Sequence, residues 1–391
     1  MNILILFIVV LICWYCTSQV NTASLVHIQK VDPVKWGRNT CKYTLGDVHD
    51  MYLKENGIKC NSDWAFYYPC DYNNIDAEIS NMPVNVNTRY FILSGADQIC
   101  GKHYMWNNIV AYHGLDKAKL IAPDTFVLSN THDIRRLVDT HTSGQLYILK
   151  KNIQQQSGLD ITDNIITLLK NDQKYVLAQK LLQDPYTIKG RKINLRIYVL
   201  VVCKQDYMNV YMYNDGFMYY TKKLFAKNST DIDINVTTGY IDRKVYEENP
   251  LTHTLFKKYL DDLHRQPKYP MERLVESMGL SISDSVFRKI EQLIADVFVS
   301  VSGILNKKES KLYNNITFQL FGADVALSNE LHPMIMEINK GPDLNTKSKN
   351  DGILKYNLIK DTYAVLKGDN YENTGFIKVL DIAKTTTKHV L

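Results

Sequence analysis

The chain has 391 residues, 45% hydrophobic and 22% charged, enough apolar surface for more than one packed core. Lysine and arginine number 46 against 41 acidic residues, a net charge of +5. Over this length that excludes the dense basic stripe of a nucleic-acid binder, so no nucleic-acid partner is expected, while an acidic protein partner stays compatible.

Residues 3–16 (ILILFIVVLICWYC) are wholly apolar, and no Asp, Glu, Lys or Arg precedes Lys30. The run is shorter than the ~20 residues of a spanning helix, so residues 1–29 read as a cleaved secretory signal, a short anchor or an interfacial segment. Lys30, Lys35, Arg38 and Lys42 follow the run and no basic residue precedes it, which for an anchor leaves the body on the cytosolic side. The expected localisation is membrane-associated with a cytosol-facing body, attached through residues 3–16, with a secretory signal as the alternative. Seven cysteines do not fix the redox compartment: Cys41, Cys60, Cys70 and Cys100 could form two disulfides or stay as buried thiols, and none has zinc-knuckle spacing. Three sequons, at Asn228, Asn235 and Asn315, are about as many as chance supplies.

Residues 30–85 are rich in aromatics and turn formers without a clear period. Residues 88–95 (TRYFILSG) and 118–128 (AKLIAPDTFVL) read as strands around a helix, 132–144 as a short helix with a glycine stop, and 145–152 (QLYILKKN) as a strand. The middle of the chain, with YVLAQKLL, KINLRIYVLVV, MNVYMYNDGFMYY and DIDINVTTGYID, reads as antiparallel sheet, with NDG as a tight hairpin turn. Residues 283–305 repeat apolar side chains at helical spacing, with Ser283 or Asp284 available as N-cap.

Three stretches could carry chemistry. In KINLRIYV, Lys192, Asn194, Arg196 and Tyr198 share one strand face; that face is either solvated or lines a cleft for phosphate, where arginine gives bidentate contacts and lysine a point charge. In YILKKNIQQQSGLDI, Lys150 and Lys151 end a strand before a loop containing Ser157 and Gly158, either a surface turn or a phosphate-cradling loop. In FGADVALSNELHPMIMEINKGP, pairing Ser328 with Pro333 sets Asp324 opposite Glu337, with Asn339 on the same face and Val325, Leu327, Met336 and Ile338 on the buried one. Opposed carboxylates need a cation. They and the Asn339 carbonyl suit Mg2+, or nearby Lys340 satisfies them on an exposed edge.

Two of these stretches resemble the tubulin-tyrosine ligase-like family. QKLLQDPYTIKGRKINLRIYVLVV is similar to its Q-K-Y-I…P…G-x-K-F-D-x-R-x-Y-V-L stretch, and FQLFGADVALSNELHPMIMEINKGPDL to its F-x-L-F-G-x-D-F…W-L-I-E-V-N-x-x-P end. Softer likeness through PDTFVL and YILKKN…SGLDI extends the collinear match over residues 118–365. The resemblance implies an α/β (α+β) chain of ATP-grasp type: two lobes whose antiparallel sheets enclose a nucleotide cleft, plus a smaller N-terminal α/β domain. It divides the chain into residues 1–29, an N-terminal region 30–143, a central lobe 144–225, a C-terminal lobe 226–368 with the metal-binding hairpin, and a tail 369–391.

The resemblance further implies ATP and Mg2+ as cofactors, and a reaction that adds a free amino acid to a protein carboxylate through an acylphosphate. Tubulin or another acidic tail is the implied acceptor. Lys150, Ser157, Gly158, Gln179, Lys180, Leu181, Lys192, Asn194, Arg196, Thr237 and Thr238 would contact nucleotide, with Gln179, Lys180 and Leu181 as the hinge around adenine. Asp324, Glu337 and Asn339 would hold magnesium, and Arg196, Lys192 and Glu337 would serve catalysis. The chain departs from the family pattern at Asn194, where Asp is usual, and at Lys151, where Pro is usual. It departs again at Tyr219, where Arg is common, and in NVTT (235–238), where H-L-T-N is usual. A catalytically inactive, membrane-attached binding or scaffold protein is the alternative.

Overall fold

The computed structural model describes residues 46–57, 65–69, 74–151, 158–263, 279 and 281–383, with the backbone of the short strand Trp36–Gly37. Two sheets organise these residues, as the α+β expectation requires. One has eleven strands and runs in the order Trp36–Gly37, Phe66–Tyr67, Arg89–Tyr90, Ile316–Leu327, Arg191–Lys204, Tyr207–Tyr213, Phe376–Ala383, with four further strands off this path. The first three strands pair in parallel, the third also with Ile316–Leu327, and the rest of the path is antiparallel.

The strand Arg191–Lys204 is the spine of this sheet, and its composition explains why. Ile193, Leu195, Ile197, Val199, Val201 and Cys203 pack with Trp106, Ile109, Phe287, Ile290 and Ile294 on one face. Tyr198, Leu200 and Val202 pack with Tyr52, Leu53, Leu358 and Tyr363 on the other. From Tyr198 onward both faces are covered, so apolar side chains run continuously instead of alternating. Each fully buried aliphatic chain there contributes about 1.5–3 kcal/mol.

The second sheet has four antiparallel strands in the order Thr125–Val127, Leu177–Lys180, Tyr147–Lys150, Leu159–Thr162. One face packs Phe126, Tyr147 and Leu149 against Leu137 and Leu168, which lie on the helices Thr131–Thr140 and Ile165–Lys170. The other presents Ile148, Ile161 and Leu181. The four-stranded sheet therefore begins at Thr125, well before residue 144, and the long strand belongs to the other sheet.

Several local expectations are corrected. Residues 118–128 are not one strand: a helix, Leu115–Ile121, ends before Pro123, and only Thr125–Val127 is extended. The NDG hairpin does not form. Tyr207–Tyr213 pairs with one half of the long strand and Phe217–Thr221 with the other, Met212 facing Val199 and Phe217 facing Arg196. A strand of 14 residues has room for both neighbours end to end, and it satisfies their backbone groups without a hairpin. Residues 231–238 form a helical turn, Ile232–Asn235, where the Asp231 side chain accepts the Asp233 N–H; only Thr237–Thr238 is strand. The long helix is Ile282–Val299 and its N-cap is Ser281, because the Ser283 hydroxyl is used by Asp261 at 2.8 Å. Residues 376–383, within the expected tail, form an edge strand beside Tyr207–Tyr213.

The membrane-associated localisation is also corrected: among the described residues no helix is long and apolar enough to cross a membrane. The apolar run 3–16 lies outside the described residues, as do Cys41, Cys60 and Cys70. Cys100 is a free thiol, and Cys203 is buried in the long strand. Asn235 and Asn315 are buried, and their amides donate to backbone carbonyls.

Candidate functional site

The two sheets face each other across a cleft of about 1430 Å³. The long strand sends Lys192, Asn194 and Arg196 into it, and the hairpin Ile316–Leu327/Pro333–Asn339 sends Asp324, Glu337 and Asn339. Backbone register makes this arrangement. Asp324 lies opposite Arg196 on one side and opposite Glu337 on the other, so three charges form a row across three strands.

The hairpin reaches that row differently from the uniform pairing expected. Leu327, not Ser328, faces Pro333, and the register shifts between Asp324 and Val325. The shift adds one residue to the second strand, a β-bulge that restores Asp324 opposite Glu337. It also changes faces: Ile335 and Ile338 are buried, whereas Met336, expected in the core, lines the cleft.

Arg196 grips Asp324 with two hydrogen bonds, Nε to Oδ1 at 2.6 Å and Nη2 to Oδ2 at 3.0 Å. Burial nevertheless pushes the Asp324 carboxyl up to about 6, with Glu337 adding to the rise against the pull of Arg196. Burial also raises Glu337, but Lys150, the Asn339 amide, Arg196 and Lys102 together hold it below the usual carboxylate range. The Asn339 amide donates to Glu337 Oε1 at 3.2 Å. Lys340, the alternative partner, instead donates to Asp97 at 2.6 Å.

The four-stranded sheet supplies Lys150, whose Nζ donates to Gln179 Oε1 at 2.8 Å. Gln179 Nε2 donates in turn to Thr125 Oγ1 at 2.9 Å. Burial pushes both Lys150 and Lys192 down to about 8; for Lys192 the nearby Lys150 adds to the effect, while Glu337 opposes it at Lys150. Two buried ammonium groups that lose protons this readily are short of anions, which is the condition a phosphate would relieve.

Lys180, Leu181, Thr237 and Thr238 also line the cleft. Gln179, next to Lys180 in the same strand, borders a small adjoining cavity, and its side-chain carbonyl accepts the Lys150 ammonium. Gly158 is absent from the cleft lining. It turns the chain at φ +74°, and its carbonyl accepts the Lys151 N–H at 3.0 Å. Ser157 lies outside the described residues. Lys102, whose charge supports Glu337, lines both cavities and was not singled out in the sequence, because a lysine opening a helix reads as solvated surface. Ile148, Leu159 and Val236 join Leu181 in an apolar end of the cleft.

Among the described residues no three His, Cys, Asp or Glu side chains come together as a metal cluster. Two carboxylates with an amide carbonyl fit a magnesium ion of the kind that completes its shell with water and substrate phosphate. Burial, with Glu337 beside it, raises the Asp324 carboxyl despite Arg196, and a divalent cation bound there would favour its ionised form.

A family model described as the tubulin-tyrosine ligase family matches residues 90–373. The probable tubulin polyglutamylase TTLL9 of Rattus norvegicus is 30% identical over 200 residues, 50% of this chain and 39% of that protein. The tubulin polyglutamylase TTLL6 of Homo sapiens is 23% identical over 339 residues, 82% of this chain and 35% of that protein. The tubulin monoglutamylase TTLL4 of Homo sapiens is 24% identical over 337 residues, 83% of this chain and 26% of that protein. The chain thus spans well under half the length of these curated relatives. The family match takes in the four-stranded sheet, most of the eleven-stranded one and every charged residue of the cleft row, and the chain belongs to the tubulin-tyrosine ligase family, whose fold is ATP-grasp.

Proposed function

We propose that the chain is an ATP- and Mg2+-dependent carboxylate–amine ligase that joins a free amino acid to a protein carboxylate. The observation that carries this reading is the single cleft in which Lys150, Lys192 and Arg196 confront Asp324, Glu337 and Asn339. A carboxylate is a poor electrophile at neutral pH. Its oxygen would attack the γ-phosphorus of ATP with ADP leaving; an amine would then attack the acyl carbon, expelling phosphate and releasing a proton as the amide forms. Lys150 and Lys192 would bind the phosphates, and Arg196 would offset charge on the transferred group. Asp324, Glu337 and Asn339 would hold magnesium, which when bound supplies further charge neutralisation. Leu181, Ile148, Leu159 and Val236 would take the base, with Lys180, Thr237 and Thr238 at its polar edge and Asn194 between the two phosphate cations. The acceptor is an acidic protein tail, with tubulin the first to test, because the relatives' names concern tubulin.

The test is mass spectrometry of tubulin and acidic-tail peptides after incubation with the protein, ATP, Mg2+ and isotopically labelled amino acids. The expected result is a mass gain of a labelled residue that requires both ATP and Mg2+. A second reading, a relative that binds nucleotide without ligation, is favoured by one observation: both oxygens of Asp324 are taken by Arg196. ATP binding with no labelled product on any acceptor supports that reading instead.

A further inference from the structure

We propose that Tyr219 is the positioning residue for Arg196: its ring holds the guanidinium in the orientation that both grips Asp324 and faces the cleft. The inference rests on the nucleotide-binding reading of the cleft. Arg196 Cζ stands 5.0 Å from the centroid of the Tyr219 ring, within the range of a cation–π contact. The register explains the meeting. Tyr219 pairs with Asn194, so Arg196, two residues further along the same face, is its diagonal neighbour.

Asp324 fixes only the edge of the guanidinium that carries Nε and Nη2. A planar group held along one edge can still hinge out of plane, and the Tyr219 face opposes that motion. Among the described residues no hydrogen bond engages Nη1, which leaves it to receive an anionic oxygen. Two glycines make room for the stack. A Cβ at Gly322 would lie 3.0 Å from Arg196 Nη1, and one at Gly239 would lie 3.1 Å from the Tyr219 ring. Burial pushes the Tyr219 hydroxyl up to about 12 although Arg196 opposes the rise, so the ring stays neutral and adds no second anion to compete with Asp324.

The experiment is calorimetric titration of the full chain with Mg–ATP and, separately, Mg–ADP, in the parent and in Tyr219→Phe, Tyr219→Leu and Tyr219→Met. Met fills the space without a π face, should Leu not fold. The expected result is that Phe binds like the parent, while Leu or Met loses about tenfold in ATP affinity and about twofold or less in ADP affinity. A general packing defect would weaken both nucleotides alike. Equal losses for ATP and ADP, a Phe variant as weak as Leu, or unchanged binding in Leu and Met overturns the proposal while parent ATP binding preserves the functional reading. A parent that binds no ATP removes both.

Discussion

The two walls of the cleft acquire their charged groups by different means. On the eleven-stranded sheet, backbone register brings Arg196, Asp324 and Glu337 into one row, because each is the cross-strand partner of the next. On the four-stranded sheet, Lys150 is placed by a relay of side chains in which Gln179 holds the ammonium and Thr125 holds Gln179. A wall set by register depends first on its bulge, whereas a wall set by a relay fails with any one member.

The largest expected effect is on the register-set wall. Glu337→Gln removes one of two carboxylates in the row and should weaken Mg2+-dependent nucleotide binding by a factor on the order of 10²–10³, measured by titrating ATP at fixed Mg2+. Arg196→Met leaves the buried Asp324 without its bidentate partner, and a broken buried pair costs about 3–5 kcal/mol of stability, read from denaturant unfolding. On the relay wall, Gln179→Ala strips Lys150 of its acceptor and should cost about 1–3 kcal/mol, with nucleotide affinity falling although Gln179 does not line the cleft. Unchanged affinity in that variant would erase the distinction between the walls.

The lysines of both walls yield a pH prediction. Lys150 and Lys192 have folded values near 8, depressed from 10.5, so their contribution to stability is present above the unfolded value and lost as pH falls through about 8. Phosphate binding has the opposite sense, since it uses their charged forms. Nucleotide affinity should therefore fall as pH rises through about 8, and Lys192→Met should flatten that limb. The smallest effect is expected for Gly322→Ala, whose Cβ would lie 3.0 Å from Arg196 Nη1, 3.3 Å from its Cδ and 3.4 Å from Pro342 Cβ; a loss of about two- to fivefold in affinity with little change in stability would fit a side chain that shifts by a few tenths of an ångström.

Legibility in the sequence follows the same division. Period-two alternation placed Lys192, Asn194 and Arg196 on one face, and turn arithmetic set Asp324 against Glu337. Both depend on local spacing, which a sequence displays. The arithmetic reached that pair through a uniform register that the hairpin does not have, and so it misplaced Met336; a bulge without a glycine leaves little trace in the residues. Lys102 and the relay from Lys150 through Gln179 to Thr125 were not legible, because they join residues that are distant in the chain. The NDG turn misled because a hairpin signal does not reveal a third strand long enough to pair with both arms. The ATP-grasp character was legible from two motifs in collinear order, whereas the edge strand Phe376–Ala383 carries no motif and is fixed by its pairing with Tyr207–Tyr213.

The most direct measurement is calorimetric titration of ATP into the parent and into Glu337→Gln, each with and without Mg2+. A nucleotide cleft with its cation on the hairpin predicts saturable binding in the parent that strengthens with Mg2+, and a Glu337→Gln variant that Mg2+ no longer strengthens. No binding by the folded parent, or identical Mg2+-dependent binding by both proteins, would contradict it.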